Sequence, residues 1–217
     1  AIFFNIAIII SIHLENAIEN NGIYDKFTGD GVLIHFLEDE CRAFPVDREI
    51  ASKLEVSHSG QLNWQSYETT GGHHAVVDAM ACAFEMIQAI EVHALKLRRI
   101  SRTLDLDFGP VAGFAKGTAQ WSVSQSGEPI VVGQSVVDAC RFADDAVRGE
   151  VRTSPHIQNL LYEVGISSNE TIVEHKSKDT RDSDREAVYR YTEPPAGVCR
   201  AAGDIERIVT TIQRDLY

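Results

Sequence analysis

Residues 24–36 read YDKFTGDGVLIHF, two short apolar runs that meet at Gly-Asp-Gly with Asp30 held between the glycines. Such runs flanking a glycine-bounded turn form a strong β-hairpin signal, because glycine supplies the positive φ that a tight connection between twisted strands needs. Read alone, Asp30 is a turn residue that satisfies its own backbone. A carboxylate on a short, stiff turn can also hold a divalent cation at small entropic cost, with the glycines leaving the backbone open to a ligand.

Outward from the hairpin the periodicity is mixed. On the N-terminal side AIFF (1–4) is strand-like and residues 6–19 can form a helix. On the C-terminal side residues 38–72 are irregular, and residues 73–99 carry a long helical period with basic residues near the end, where the helix dipole favours them. TLDLDFGPVAGFA (103–115) alternates up to Gly109 and Pro110 like a half-buried strand entering a tight turn, with a hairpin partner expected through AQWSV (119–123). PIVVG is a short strand, QSVVDACRFADDA a helix, GEVRTS a strand, and SPHIQNLL a helix with Pro155 at its start. TIVEHK and AVYRYTE are expected to pair across a charged loop. In the tail Ile205, Ile208, Val209, Ile212 and Leu216 fall on one helical face, whose cover is either the domain or a partner. The order predicts an α+β fold with a ferredoxin-like βαββαβ core, added strands and a C-terminal amphipathic helix. Residues 1–195 are expected as one domain with 38–72 as an insertion, and 196–217 as the tail helix.

Composition excludes several classes. The chain has 217 residues, 44% of them hydrophobic, enough for a sizeable core. Its 32 acidic and 20 basic residues give a formal charge of −12, which opposes nucleic-acid or anionic-membrane binding. The apolar N-terminal run stops near Leu14, short of the roughly 20 residues of a spanning helix, so stable membrane insertion is not expected. Cys41, Cys82, Cys140 and Cys199 have no CxxC spacing and read as reduced thiols of a cytoplasmic protein. No His-rich metal spacing, P-loop or Ser-His-Asp arrangement is present.

Three islands in one order, KFTGDG (26–31), FGPVAG (108–113) and VVGQSVVDACRFADDAVRGEVRTS (131–154), resemble the class III nucleotide cyclase catalytic domain across residues 1–191. That family joins the 3′-oxygen of a nucleoside triphosphate to its α-phosphate and releases pyrophosphate. The resemblance implies a homodimer with shared active sites and two divalent ions, Mg2+ or Mn2+. Asp30 corresponds to the second metal aspartate, and Arg141 to the arginine that stabilises charge on the α-phosphate. A guanidinium suits that role because it stays charged and donates two parallel hydrogen bonds. Without the island, Arg141 reads as a surface helix arginine paired with Asp138 or Asp145. Lys178, with Lys176 as the alternative, falls where the family carries a lysine for the terminal phosphates.

The departures from the family pattern narrow the substrate. No motif like FADIxGF supplies the first metal aspartate, and AIFF runs straight into the next helix, so a loop is expected to be missing between Phe4 and Asn5. Lys26 matches the base-reading lysine, but Ile130 stands at the base-reading aspartate position and Val137 at the ribose-orienting asparagine position. The guanylyl pattern is not met either. A pocket so altered resembles the bacterial pyrimidine cyclases of anti-phage defence, which make cyclic UMP or cyclic CMP for a separate effector protein. The resemblance therefore implies a cyclase acting on UTP. Two alternatives stay open: an adenylate cyclase, and an inactive cyclase-like domain that binds nucleotide for regulation.

Overall fold

In the computed structural model the chain is described over residues 2–27, 31–36, 65–67, 73–100, 109–123, 129–163, 166, 171–176 and 185–216. The first element is helix α1 (Ile2–Glu19), and it runs unbroken through Phe4 and Asn5. This corrects one expectation: Ile2–Phe4 are helical, not a strand, and the helix passes through the place where a loop was expected. A short β-prone apolar run is ambiguous by period alone, and with no Gly or Pro to stop it the run joins the helix that follows. Ile8 and Ile12, one turn apart, are fully buried among helical partners. The helix ends where Asn21 takes φ 58° and the Gly22 amide donates back to Ala17 O at 2.7 Å, a left-handed cap.

Strands β1 (Ile23–Phe27) and β2 (Val32–His35) then form the antiparallel hairpin read from the sequence, with residues 28–30, and so Asp30, outside the described residues. Within the stretch expected to be irregular, β3 (Gln65–Tyr67) pairs with β5 (Ala119–Val123), which in turn pairs with β6 (Pro129–Val132). A third sheet has the order β4-β7-β9-β8, from β4 (Ala112–Phe114), β7 (Val151–Thr153), β8 (Thr171–Lys176) and β9 (Arg185–Tyr191). β8 and β9 pair antiparallel, as expected for TIVEHK and AVYRYTE.

The half-buried strand expected up to Gly109 and Pro110 lies mostly outside the described residues, and the short strand after that turn, β4, does not pair with AQWSV. β4 instead runs parallel to β7, Ala112 opposite Val151, and β5 belongs to another sheet. The cause is the packing of residues 117–118 on the start of the next helix: a Cβ on Gly117 would lie 3.0 Å from Ser135 Cβ, and one on Gly133 2.7 Å from Thr118 O. That contact turns the chain away from β4.

Helix α2 (His73–Ile100) is central and apolar on several faces. Val76, Met80, Phe84 and Ile87 pack with Val151, Tyr191 and α4 (Pro155–Glu163); Ala89 and Ile90 pack with α1 and α5 (Ala202–Leu216); Cys82 and Met86 pack with Ala17. Thus α5 covers its apolar stripe, led by Ile205 and Val209, within its own chain. Arg200 secures the approach to α5, donating to Glu85 Oε2 at 2.6 Å and to Asn16 Oδ1 at 3.0 Å. Among the described residues no helix is long and apolar enough to cross a membrane.

Candidate active site

The helix that carries Arg141, α3 (Gln134–Asp145), is placed by two glycines. At Gly133, which precedes its first turn, the segment 118–119 approaches too closely for any side chain. At Gly113 on β4 a Cβ would meet Ala139 O, Ala143 N and, at 2.8 Å, Phe142 C, so strand and helix backbones touch directly. Phe142 is buried beside this contact. Helical spacing then assigns Val137, Cys140, Arg141 and Asp144 to one outward face. Val137, Cys140 and Asp144 are exposed and Arg141 is half-buried. Asp138, one expected partner of Arg141, accepts a hydrogen bond from Gln134 Nε2 at 2.7 Å.

One residue of the hairpin, Lys26, acts electrostatically on this helix. Burial and the Asp144 carboxylate push the Cys140 thiol up from its ordinary pKa, while the Lys26 ammonium pulls it the other way, so Lys26 lies within electrostatic reach of the turn that holds Arg141. β1 also packs beside β6, the strand that carries Ile130 and leads into α3. On β6 Val131 is buried, whereas Ile130 is half-buried on the same side as exposed Val132. Lys26 thus lies on a strand that packs beside β6, the strand that carries Ile130 and leads into the helix of Val137 and Arg141.

Lys178 lies outside the described residues, as does Asp30. Lys176 ends β8. Among the described residues no group of three His, Cys, Asp or Glu side chains could hold a metal ion. The described part of the site thus does not form a metal centre by itself.

Three neighbours of Lys26 were not singled out from the sequence. Asp25 Oδ2 lies 3.5 Å from Lys26 Nζ and 3.1 Å from His35 Nε2, and Cys140 shares the helix face with Arg141. An acid beside a lysine inside a strand was the available signal for Asp25. His35 leaves no such signal, because its contact crosses the hairpin.

No protein-family model matches the chain, and no curated protein matches its sequence at a significant level. Solved structures do match. The adenylyl cyclase CyaB from P. aeruginosa is similar at TM-score 0.59 and 16% identity, over 85% of this chain and 79% of that one. The guanylyl cyclase Cya2 is similar at TM-score 0.55 and 16% identity, over 91% and 85%. The catalytic core of a rhodopsin-guanylyl cyclase with converted specificity, bound to ATPαS, is similar at TM-score 0.52 and 13% identity, over 90% and 86%. The α+β fold is that of nucleotide cyclase domains.

Proposed function

We propose that the chain is a nucleotide cyclase that converts UTP to 3′,5′-cyclic UMP and pyrophosphate. The observation that supports this reading is the packing of β1, with Lys26, beside β6, which leads into the α3 face of Val137 and Arg141, on a cyclase-domain fold. The three neighbours include an adenylyl cyclase, a guanylyl cyclase and a guanylyl cyclase of converted specificity, so one fold accommodates different bases and local side chains must choose among them.

Each residue has a task in this reading. The Arg141 guanidinium donates to the non-bridging oxygens of the α-phosphate, where negative charge grows as the 3′-oxygen attacks and pyrophosphate leaves. Lys26 donates to a base carbonyl oxygen. Ile130 and Val137 offer no acceptor to a purine amino group, and a buried amino group without a partner costs about 1–3 kcal/mol. This ranks UTP above CTP and ATP. Asp30 would be this chain's ligand for Mg2+ or Mn2+, whose charge would offset that of the triphosphate, and Lys178 would serve the terminal phosphates. Resemblance extends the proposal to a homodimer with shared sites and to a cytoplasmic messenger, read by an effector in anti-phage defence.

A second reading, a nucleotide-binding domain without turnover, is favoured by one feature: Val137 is 44% exposed and apolar where a ribose-orienting amide is expected. Complementation separates the two. Asp30→Asn and Arg141→Ala should each be inactive, and mixing them should restore part of the activity, because one site of the heterodimer keeps both groups. No recovery in verified heterodimers rejects shared sites, and no wild-type turnover rejects the cyclase.

A further inference from the structure

We infer that Asp25 and His35 are positioning residues for Lys26, together setting the discrimination between bases; this rests on the base-reading role proposed for Lys26. The register of the hairpin slips between Tyr24 and Lys26, so Asp25 is a bulged residue with no partner on β2. A bulge re-aims a side chain, and here it brings the Asp25 carboxylate to the lysine next in sequence. Neighbouring residues of a regular strand point to opposite faces and do not make this contact.

The Asp25 side chain is only 1% exposed, whereas that of Lys26 is 48% exposed. The carboxylate therefore lies beneath the ammonium as an anchor, and the ammonium keeps N–H groups free to turn outward. His35 Nε2, across the hairpin, holds the same oxygen, Oδ2, at 3.1 Å. The other oxygen, Oδ1, is buried without a hydrogen-bond partner. A buried carboxylate with one oxygen unserved lowers stability, and an asparagine of the same size would avoid the charge. The carboxylate so placed acts on Lys26, whose Nζ lies 3.5 Å from Oδ2.

An anchored ammonium presents a donor in one direction, as recognition of a base carbonyl requires, while a free lysine spreads over many rotamers. Asp25 need not touch the nucleotide. Its effect passes through Lys26 and belongs to binding and base choice, not to the Arg141 end of the site.

The test is a double-mutant cycle read by calorimetric binding of UTP and of ATP, with turnover measured alongside. Asp25→Asn should weaken UTP binding and raise its KM roughly five- to tenfold, change kcat little, and leave ATP nearly unaffected. In a Lys26→Ala background the same substitution should do nothing more, since the group it positions is gone. His35→Gln, which retains a donor for Asp25, should stay close to wild type, whereas His35→Ala should reproduce the Asp25→Asn defect; this pair decides the matter if Asp25→Asn fails to fold. Equal losses for UTP and ATP, or additive losses with Lys26→Ala, overturn the positioning role alone. A wild-type protein that binds no nucleotide overturns both this inference and the cyclase reading.

Discussion

Gly113→Ala should damage stability and activity together. The new methyl would lie 2.8 Å from Phe142 C, with Ala139 O and Ala143 N nearer still. Carbon atoms rest at about 3.5–4.0 Å, so α3 must retreat by roughly 1 Å. All three obstacles are helix backbone, which cannot rotate aside, and this puts the overpacking cost near the upper end of the usual range, about 3 kcal/mol. For a domain of this size that lowers Tm by roughly 6–12 °C. Because α3 carries Arg141, a displacement of this order should also lower kcat by up to about 100-fold. Thermal unfolding followed by circular dichroism measures the first effect. Gly203→Ala, with nothing within 4 Å of the added methyl, is the control and should be neutral or slightly stabilising. If Gly113→Ala melts within about 1 °C of this control, the backbone contact between β4 and α3 is wrong, and with it the placement of Arg141.

Acid should destabilise the helical layer before the carboxylates titrate. Burial lowers His13 from 6.5 to about 4 and also lowers His93. Both imidazoles take up a proton more readily unfolded, so their stabilisation is intact above pH 6.5 and drains as pH falls below it, toward about 4 for His13, which contributes roughly 3 kcal/mol. His13→Leu should flatten that limb of a Tm-against-pH curve, and an unchanged limb would contradict the assignment. Arg200→Ala leaves Glu85, 1% exposed, without its guanidinium and should cost about 3 kcal/mol in urea unfolding. Adding Glu85→Gln should recover most of that loss, and no recovery would mean the pair is not the cause. Glu85 is held below its ordinary pKa by Arg200 and Asn20 hydrogen bonds that outweigh burial, so its contribution is present above 4.5 and lost as pH falls through the lowered value. Ile130→Asp restores an acceptor and should raise the ratio of ATP to UTP turnover by roughly 5- to 150-fold; an unchanged ratio would mean that Ile130 does not face the base.

Local chemistry was legible in the sequence, and pairing at a distance was not. The hairpin could be read because Gly-Asp-Gly interrupts two apolar runs, and α3 because Gly133 precedes a clear helical period. The tail helix could be read from its apolar stripe, although only the structure shows that α1 and α2 cover it. Ile2–Phe4 differ from the expected strand because three β-prone residues carry too little period to separate strand from helix. The parallel pairing of β4 with β7 leaves no local signal, because it is decided by contacts across an intervening pair of strands and a helix. At the site, Lys26, Ile130, Val137 and Arg141 came from motif positions that sequence displays. The Asp25–His35 contact depends on a bulge, and the Glu85–Arg200 pair spans 115 residues, so neither leaves a local signal.

The central claim is tested most directly by incubating the purified protein with each of the four ribonucleoside triphosphates and Mn2+ and identifying products by mass. UTP should yield cyclic UMP with equimolar pyrophosphate, at a rate above those for CTP, ATP and GTP, and Arg141→Ala should abolish it. Mainly cyclic AMP, with UTP at background, would contradict the pocket assigned to Lys26 and Ile130; no cyclic product from any of the four would contradict the cyclase itself.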